Sequence, residues 1–345
     1  MTPRTEDLDG LSKAVARARA NVALVKYWGK RDVGLNLPIA GSISLTLDRL
    51  SAVATVSRIA PRAAREAGRF RQGGIPVEGV AGERMAAFLD RVAREAGVEE
   101  PLLAEVEANF PVGAGLASSA AIYCAVAAAA LSIYGAKRSR GELSAIARLG
   151  SGSAARSAFG GFVEWRRGER PDGRDSTAVQ LLRESEWDVA MAVAITSEEK
   201  KRVASRDAMT HVSATSPLFA GWADSLDADL DAMRAAVAAR DLESVGRIAE
   251  ENCLRMHATC LAARPPVIFW SPTTLALIEC AAGLRREGVP AYFTIDAGPQ
   301  VKVLCRGFDL ERVAAALAAE PGVIRVLAAR PGPGVEILEG EAPWS

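Results

Sequence analysis

A glycine- and serine-rich segment carries the strongest chemical signal in the sequence, and it reads Pro111-Val-Gly-Ala-Gly-Leu-Ala-Ser-Ser-Ala120. Gly113 and Gly115 permit positive φ angles and a close backbone approach to a ligand. Ser118 and Ser119 stand at the start of a predicted apolar helix, so backbone N–H groups and the helix dipole converge on one point. The segment is neither a Walker A motif nor a Rossmann fingerprint. Its shape fits a phosphate loop and, equally well, a capped turn without a ligand.

Three other segments combine cations with hydroxyls or aromatic rings. Lys26-Tyr-Trp-Gly-Lys-Arg-Asp32 follows an apolar strand and suits an anionic small molecule, although in isolation a solvated turn anchored by Trp28 is the commoner structure. Ser151-Gly-Ser-Ala-Ala-Arg-Ser157 is predicted to be a loop whose hydroxyls and Arg156 bind oxygen atoms, or else a flexible linker. Lys200-Lys-Arg-Val-Ala-Ser-Arg-Asp207 is either a solvated charge run or a mobile clamp on phosphates.

A single aspartate ends a hydrophobic strand in the segment Tyr292-Phe-Thr-Ile-Asp-Ala-Gly-Pro-Gln300. A carboxylate at the tip of a buried strand can lie near a reacting hydroxyl and act as a base. Taken alone, an Asp296 that caps its own turn is the more common arrangement.

These segments together indicate more than any one of them does. They supply one candidate phosphate loop, several clusters of basic and hydroxyl side chains, and one strand-end carboxylate. Such a set fits ATP-dependent chemistry on a phosphorylated small molecule, where positioning and charge neutralisation do most of the catalysis.

Composition excludes several classes of protein. The 345 residues carry 42 basic and 42 acidic side chains, so a dedicated binder of nucleic acid or of an anionic membrane is not expected. Five cysteines form no Cys-x-x-Cys pair and only two histidines are present, which disfavours a zinc site and favours a reducing compartment. The first residues lack the apolar core of a signal peptide, and the longest apolar run, 120–134, is too short to span a bilayer. We therefore expect a soluble, cytoplasmic protein.

The elements that must position these segments mix strands and helices without a steady βαβ period, which predicts an α+β fold. Strands are predicted at 14–26, 43–56, 104–110, 160–165, 189–196, 291–295, 301–305 and 323–329. The strand at 301–305 is predicted to pair with the strand at 291–295. Helices are predicted at 82–96, 120–134, 141–149, 217–256, 273–287 and 309–319. A basic, glycine-rich stretch at 62–79 reads as a hairpin tip or loop. A change in the sequence pattern near residue 190 predicts a boundary between residues 1–190 and 191–345.

From about Ala20 to Cys305 the chain resembles the diphosphomevalonate (mevalonate pyrophosphate) decarboxylases of the GHMP kinase superfamily. The resemblance is carried by Asn21-Val-Ala-Leu-Val-Lys-Tyr-Trp-Gly-Lys-Arg-Asp, Leu35-Asn-Leu-Pro, Ser42-Ile-Ser-Leu-Thr-Leu, Gly115-Leu-Ala-Ser-Ser-Ala, Ser151-Gly-Ser-Ala-Ala-Arg-Ser, Gly160-Gly-Phe-Val-Glu-Trp, Met256-His-Ala and Asp296-Ala-Gly-Pro. The Lys-Tyr-Trp-Gly-Lys and Ser-Gly-Ser-Ala-x-Arg-Ser segments are specific to the decarboxylases, whereas Gly-Leu-Ala-Ser-Ser marks the wider superfamily.

This resemblance implies a two-lobed GHMP kinase fold. The N-terminal lobe would be similar to ribosomal protein S5 domain 2, the C-terminal lobe would be ferredoxin-like, and the active site would lie between them. The implied reaction uses ATP and Mg²⁺ to phosphorylate the 3-hydroxyl of mevalonate 5-diphosphate. Loss of phosphate and CO₂ then gives isopentenyl diphosphate, in the mevalonate pathway of isoprenoid biosynthesis. The resemblance also implies a homodimer, for which the sequence offers no separate support.

The resemblance further implies a role for individual residues. Asp296 would face the 3-hydroxyl as general base or as an orienting group, and Lys26 would assist decarboxylation. The substrate carboxylate would bind Arg156, with Ser151 and Ser153 beside it. The candidates for binding the substrate diphosphate are Tyr27, Lys30, Ser205, Arg206 and, more weakly, Arg84. The ATP phosphates would be held by Gly113, Ala114, Gly115, Leu116, Ala117, Ser118 and Ser119, while the Mg²⁺ ligands are not identified.

The chain departs from the family pattern at several positions. Ala40 and Gly41 stand where Asn and Ser are usual, Ala155 where Cys is common and Gln300 where Asn is usual; the Ser-Ser-x-x-Gly-Met segment appears as 204–209 in altered form. No charged catalytic group is lost, but the exact substrate stays open. The alternatives are a decarboxylase or kinase acting on mevalonate 5-phosphate or another mevalonate-type substrate, a kinase without decarboxylation, and a ligand-binding protein that reuses the fold.

Overall fold

The computed structural model describes residues 13–66, 68–110, 118–199 and 203–344. Its strands are β1 Lys13–Val25, β2 Lys30–Asp32, β3 Leu37–Pro38, β4 Ser42–Arg58, β5 Phe70–Gln72, β6 Ile75–Pro76, β7 Leu102–Ala108, β8 Phe162–Trp165, β9 Ala178–Leu182, β10 Val189–Ile195, β11 Tyr292–Ile295, β12 Val301–Arg306, β13 Arg325–Ala329 and β14 Glu336–Glu339. Its helices are α1 Pro61–Glu66, α2 Gly79–Ala96, α3 Ser118–Ile133, α4 Arg140–Gly150, α5 Ser205–Thr215, α6 Phe219–Asp224, α7 Leu226–Ala239, α8 Leu242–Leu261, α9 Pro272–Arg286 and α10 Leu310–Ala318. Short 3₁₀ helices span Gly152–Ala158 and Gly307–Asp309.

The larger sheet is built on two long antiparallel strands, β1 and β4. Its strand order is β14-β1-β4-β7-β5-β6, and β8 and β9 extend it from β4. Small side chains occupy alternate positions of β1, and Ala14, Ala16 and Ala18 are fully buried. Because these alanines are short, a helix can approach the sheet closely there.

That helix is α3, whose side chains are buried along almost its whole length, as the apolar sequence predicted. It packs against β1 and β4. Alanine, the best helix former, is its commonest residue, so the helix forms readily and still fits tightly against the sheet. Ser118 and Ser119 therefore stand at a helix N-terminus that the core holds in place.

The second sheet has the order β11-β12-β10-β13 with every pair antiparallel. One face is covered by α9 and α10, where Phe293 and Val303 pack with Leu277 and Val313. The opposite face carries Val193 and other residues of the main core, which also contains side chains of β1 and β4. The prediction of an α+β fold is confirmed, and so is the predicted pairing of β11 with β12.

The C-terminal strand β14 pairs with β1 and so returns to the larger sheet. The division into residues 1–190 and 191–345 stays a prediction. β14 lies within the second of these ranges, but it pairs with a strand of the first.

One candidate segment differs from the sequence-based expectation, and the structure adds detail to two others. Residues 151–157, predicted to be a loop, lie mostly within the 3₁₀ helix Gly152–Ala158, because Ala154 and Ala158 are fully buried and the small side chains let a tight helix enter the core. Of the charge run at 200–207, residues 200–202 lie outside the described residues, and α5 begins at Ser205. The glycine-rich stretch at 62–79 contains the β5–β6 hairpin, with Gly73 and Gly74 at its turn in positive φ.

None of the helices in the described part of the chain is both long and apolar enough to cross a membrane.

Candidate active site

A cavity of about 680 Å³ brings together all of the predicted site residues that the structure describes. Charged or hydroxyl-bearing side chains from the first half of the chain line one part of it, and side chains from α5 and the end of β11 line another. The predicted site residues among the lining are Lys26, Tyr27, Lys30, Arg84, Ser118, Ser119, Ser151, Ser153, Arg156, Ser205, Arg206 and Asp296. Gly113, Ala114, Gly115, Leu116 and Ala117 lie outside the described residues.

The carboxylate of Asp296 lies between two buried lysines. Lys26 Nζ is 2.8 Å from Asp296 Oδ1, and Lys302 Nζ is 3.1 Å from Asp296 Oδ2. Both lysine side chains are 1% exposed, whereas that of Asp296 is 23% exposed. Asp296 is therefore the most exposed member of the trio, and it shares the cavity wall with Lys26.

The two lysines also decide the ionisation of Asp296. Burial by itself raises the pKa of a carboxylic acid, but the charges of Lys26 and Lys302 and their hydrogen bonds outweigh it and hold the pKa of Asp296 well below its usual range. Burial lowers the pKa of Lys302, and the charge of Asp296 opposes that shift. Asp296 is thus a stable anion whose oxygens can accept a hydrogen bond.

Helix α8 holds the backbone at Lys26 and at the residue before Asp296. The backbone N–H of Lys26 donates to Asn252 Oδ1 at 2.8 Å. The N–H of Ile295, the residue before Asp296, donates to Cys253 Sγ at 3.1 Å, and His257 Nε2 donates to the Ile295 carbonyl at 3.3 Å. One face of α8 therefore fixes the ends of both strands that carry the charged pair.

His257 takes no part in proton exchange at neutral pH. Burial and the nearby charge of Lys26 lower the pKa of His257 to about 3. Because the imidazole is neutral and its Nε2 meets a carbonyl oxygen, the ring carries its proton on Nε2. We assign His257 to holding the Ile295 backbone.

Arg156 is buried and held in one orientation by polar partners. Its Nε donates to Asn21 Oδ1 at 2.9 Å, and its Nη1 donates to Ser42 Oγ. The amide of Asn21 in turn donates to Ser157 Oγ at 2.8 Å and to the Ser153 carbonyl at 3.1 Å. Burial lowers the pKa of Arg156 to about 10, so the guanidinium stays charged and is a fixed receptor for an anion.

A row of hydroxyls connects the N-terminus of α3 with the 3₁₀ helix. Ser119 Oγ lies 3.2 Å from Ser151 Oγ, which lies 3.2 Å from Ser153 Oγ. The predicted phosphate end of the cavity and the surroundings of Arg156 are thus neighbours, which is the spacing that a phosphoryl transfer to a bound substrate needs.

Three cations gather elsewhere in the cavity wall. Lys30, Arg84 and Arg206 come from β2, α2 and α5, and Lys30 Nζ is held by Asn36 Oδ1 at 2.8 Å. Burial, followed by the charges of Arg206 and Arg84, lowers the pKa of Lys30 to about 8. Cations that repel one another in this way form a site for a multiply charged anion.

Tyr27 lies beside this cluster and packs edge-on against Trp165, with ring centroids 4.8 Å apart. Its hydroxyl is buried and has no hydrogen-bond partner among the described residues. Burial raises the pKa of the phenol, although Arg206 and Arg156 oppose the shift, so Tyr27 keeps its proton and has one to donate to a ligand.

Lys302, Asn21, Asn252 and His257 were not assigned a role from the sequence. A lone lysine in the apolar strand 301–305 was a usable signal, since a buried charge requires a partner. Asn21 and His257 stand in segments that carried the family resemblance. Asn252 gave no signal, because its contact with Lys26 arises from the packing of α8 on the end of β1.

The described residues contain no group of three or more His, Cys, Asp or Glu side chains that could hold a metal ion. Mg²⁺ commonly keeps water ligands and binds through substrate phosphates with few protein carboxylates. The site therefore fits a magnesium ion that enters with a nucleotide, rather than one held by the protein alone.

Comparison with known protein families matches most of the chain. Residues 18–178 match the diphosphomevalonate decarboxylase-like N-terminal domain, and residues 191–322 match the mevalonate 5-diphosphate decarboxylase C-terminal domain. The diphosphomevalonate decarboxylase of Candida albicans is 35% identical over 303 residues, which is 84% of this chain and 83% of the relative.

Solved structures agree. The mevalonate diphosphate decarboxylase from Enterococcus faecalis is 36% identical with a TM-score of 0.86, and the match covers 95% of this chain and 99% of that one. A complex of MDDEF with MVAPP, AMPPCP and magnesium is also 36% identical, with a TM-score of 0.87 and the same coverage of both chains.

Proposed function

The chain belongs to the diphosphomevalonate decarboxylase family, and from that premise we propose how its residues divide the work of the reaction. It is an ATP-dependent decarboxylase with the GHMP kinase fold, and it converts mevalonate 5-diphosphate to isopentenyl diphosphate. The reaction has three parts, namely phosphorylation of the 3-hydroxyl, loss of that phosphate and loss of CO₂.

The cavity offers separate receptors for the two charged ends of the substrate. The diphosphate would bind Lys30, Arg84 and Arg206, with the Tyr27 hydroxyl and Ser205 beside them. The carboxylate would bind Arg156, near Ser151 and Ser153. With both ends held, the 3-hydroxyl in the middle of the substrate would face Asp296.

ATP would bind at the N-terminus of α3, where Ser118 and Ser119 start the helix and the predicted loop 113–117 precedes them. The apolar part of the same cavity, with Phe70, Val77 and Met85 in its wall, is suited to the nucleobase. Mg²⁺, when bound through the phosphates, would neutralise charge on them.

Asp296 would orient the hydroxyl rather than deprotonate it fully before attack. A carboxylate whose pKa is held well below the usual range is a weak base. A loose phosphoryl-transfer transition state needs little activation of the nucleophile, and the hydroxyl proton becomes acidic as the new O–P bond forms. A fixed hydrogen-bond acceptor that aims the oxygen lone pair at phosphorus is therefore sufficient.

Lys26 would serve the second half of the reaction. As the bond between C3 and the phosphate oxygen breaks, negative charge collects on the departing phosphate. The Lys26 ammonium, 2.8 Å from Asp296 Oδ1, would lie close enough to the reacting oxygen to stabilise that charge. Arg156 would hold the carboxylate so that the bond to CO₂ aligns with the developing positive charge on C3. The electrons of that bond then form the new double bond.

The trio of Asp296, Lys26 and Lys302, which opens on the cavity beside Arg156, is the observation that carries this assignment. Incubation of the pure protein with ATP and mevalonate 5-diphosphate should release CO₂, ADP and phosphate in equal amounts. ADP without CO₂ would instead identify a kinase. A panel that includes mevalonate and mevalonate 5-phosphate tests the substrate, and the three-cation cluster favours the diphosphate.

The finer assignments also belong to the proposal. We propose lobes at 1–190 and 191–345, a homodimer and a cytoplasmic location, following the family resemblance. Sedimentation of the pure protein would test the dimer, and limited proteolysis followed by mass spectrometry would test the lobe boundary.

A further inference from the structure

Lys302 is a buried cation in the middle of the second sheet. It lies on β12 between β10 and β11, where its register partners are Val193 and Thr294. A lysine whose side chain is 1% exposed must be paired, since an isolated buried charge strongly destabilises the fold. Replacement by an apolar residue would suit such a strand better, so the charge calls for a functional explanation.

The geometry around Asp296 separates the parts of its two lysines. Lys26 contacts Oδ1 and lines the cavity. Lys302 contacts Oδ2 and is not among the residues that line the cavity. Because each carboxylate oxygen is paired with a different lysine, the carboxylate cannot rotate and its two oxygens cannot exchange places.

We propose that Lys302 is a positioning residue for the reaction, which fixes Asp296 from behind and keeps it anionic, so that Lys26 is available to the departing phosphate. The proposal rests on the proposed role of Asp296. The proposal also concerns charge. The trio carries one net positive charge beside the transferred phosphate, whereas a Lys26–Asp296 pair alone would be neutral.

Within the described residues, the structure names the groups that act on the charge of Asp296 from the elements packed around it. Lys26 comes from the end of β1, Lys302 from β12 and Arg156 from the 3₁₀ helix, while α8 contributes Cys253 and the neutral His257. Without Lys302, burial, which raises the pKa of the carboxyl, would be opposed mainly by Lys26. Asp296 would then take up a proton as the pH falls, at a pH where the wild-type carboxylate is still an anion.

The test uses the intact enzyme with ATP and mevalonate 5-diphosphate. In Lys302→Met we expect kcat to fall by roughly 10- to 100-fold, as when a supporting partner of a reacting group is lost, with a much smaller change in KM. The acid limb of its kcat–pH profile should move to higher pH by about 1 unit or more. Lys302→Arg keeps the charge and should keep the wild-type position of the acid limb, even if kcat falls. Lys137→Met, which removes an exposed surface lysine, is the matched control and should behave as wild type.

A folded Lys302→Met enzyme with the wild-type kcat and acid limb would overturn the proposal. If that variant does not fold, Lys302→Gln, which retains a hydrogen-bond donor without the charge, replaces it in the comparison with Lys302→Arg. A double variant gives a second decision: Asp296→Asn with Lys302→Met should lose little more activity than Asp296→Asn alone, and independent losses would contradict an action through Asp296. A wild-type enzyme that releases no CO₂ would contradict the proposed function instead, so the two failures are distinguishable.

Discussion

Asn252 Oδ1 accepts the backbone N–H of Lys26 at 2.8 Å, and this contact joins the end of the first strand to a helix that begins more than two hundred residues later. The amide of Asn252 is fully buried and donates to Asp229 Oδ2 at 2.7 Å. Asp229 is in turn held by Arg255. A chain of polar contacts thus fixes the backbone at Lys26.

Asn252→Ala should lower both stability and turnover. The Lys26 N–H would lose its partner, and a buried unsatisfied donor costs about 1–3 kcal/mol. We expect a lower denaturation midpoint and a fall in kcat, because Lys26 Nζ would no longer be held in line with Asp296. Leu254→Ala, at a half-exposed position of the same helix, is the control for a general effect on α8. A variant with normal stability and kcat would show that the Lys26 backbone needs no such support.

Asp296→Asn should abolish most turnover while ATP binding is retained. The neutral amide is a poorer hydrogen-bond acceptor, and loss of a positioned acid–base group costs roughly 10²- to 10⁴-fold in rate. Lys26 and Lys302 would also lose the carboxylate that lies between them, and breaking a buried ion pair costs about 3–5 kcal/mol. Single-turnover assays, nucleotide titration and thermal unfolding measure the three effects. Asp188→Asn removes an exposed carboxylate and serves as the control; a fully active Asp296→Asn enzyme would remove the proposed role of the carboxylate.

Substrate affinity should fall as the pH rises above about 8. In the free enzyme the pKa of Lys30 is lowered to about 8 by burial and by Arg206 and Arg84, and a bound diphosphate would raise it again. Binding of the diphosphate is therefore linked to protonation of Lys30. The attraction is fully present below that pKa and is lost above it, and the affinity falls by at most about tenfold per pH unit. KM for mevalonate 5-diphosphate should rise between neutral and alkaline pH, while KM for ATP changes less. Lys30→Arg should remove the dependence, and a wild-type KM that is flat with pH would contradict it.

Gly152→Ala should displace Tyr27. A Cβ at position 152 would lie 2.6 Å from the Tyr27 ring and hydroxyl, so the phenol must move away from its place in the cavity wall. We expect a higher KM for the substrate diphosphate and a loss of about 1–3 kcal/mol from overpacking. Gly221→Ala, where nothing lies within 4 Å of the added Cβ, is the matched control and should be neutral. If both variants have wild-type KM, Tyr27 does not contact the substrate.

Local sequence predicted most of the fold because its signals are short-range. The apolar, alanine-rich run of α3, the alternation of β1 and the hydrophobic strand that ends at Ile295 all formed where patterning placed them. The 3₁₀ helix at Gly152–Ala158 was mistaken for a loop, because a run of serine, glycine and alanine has little helix signal until the core encloses it.

The candidate site shows the same division. The residue types at Lys26, Arg156 and Asp296, together with the family motifs, were enough to identify the reaction class. Which side chains meet was decided by the tertiary structure. Lys26 and Asp296 are 270 positions apart, and the contact between them depends on how β1, β11 and α8 pack.

The sequence alone therefore specified most of the secondary-structure elements and the chemical groups that they carry. The pairing of Asp296 with a second lysine, the support from α8 and the lowered pKa of Lys30 arise only in the folded chain. The physical reason is that ionisation and hydrogen bonding depend on burial and on charges within a few ångströms, which long-range packing sets and local sequence does not encode.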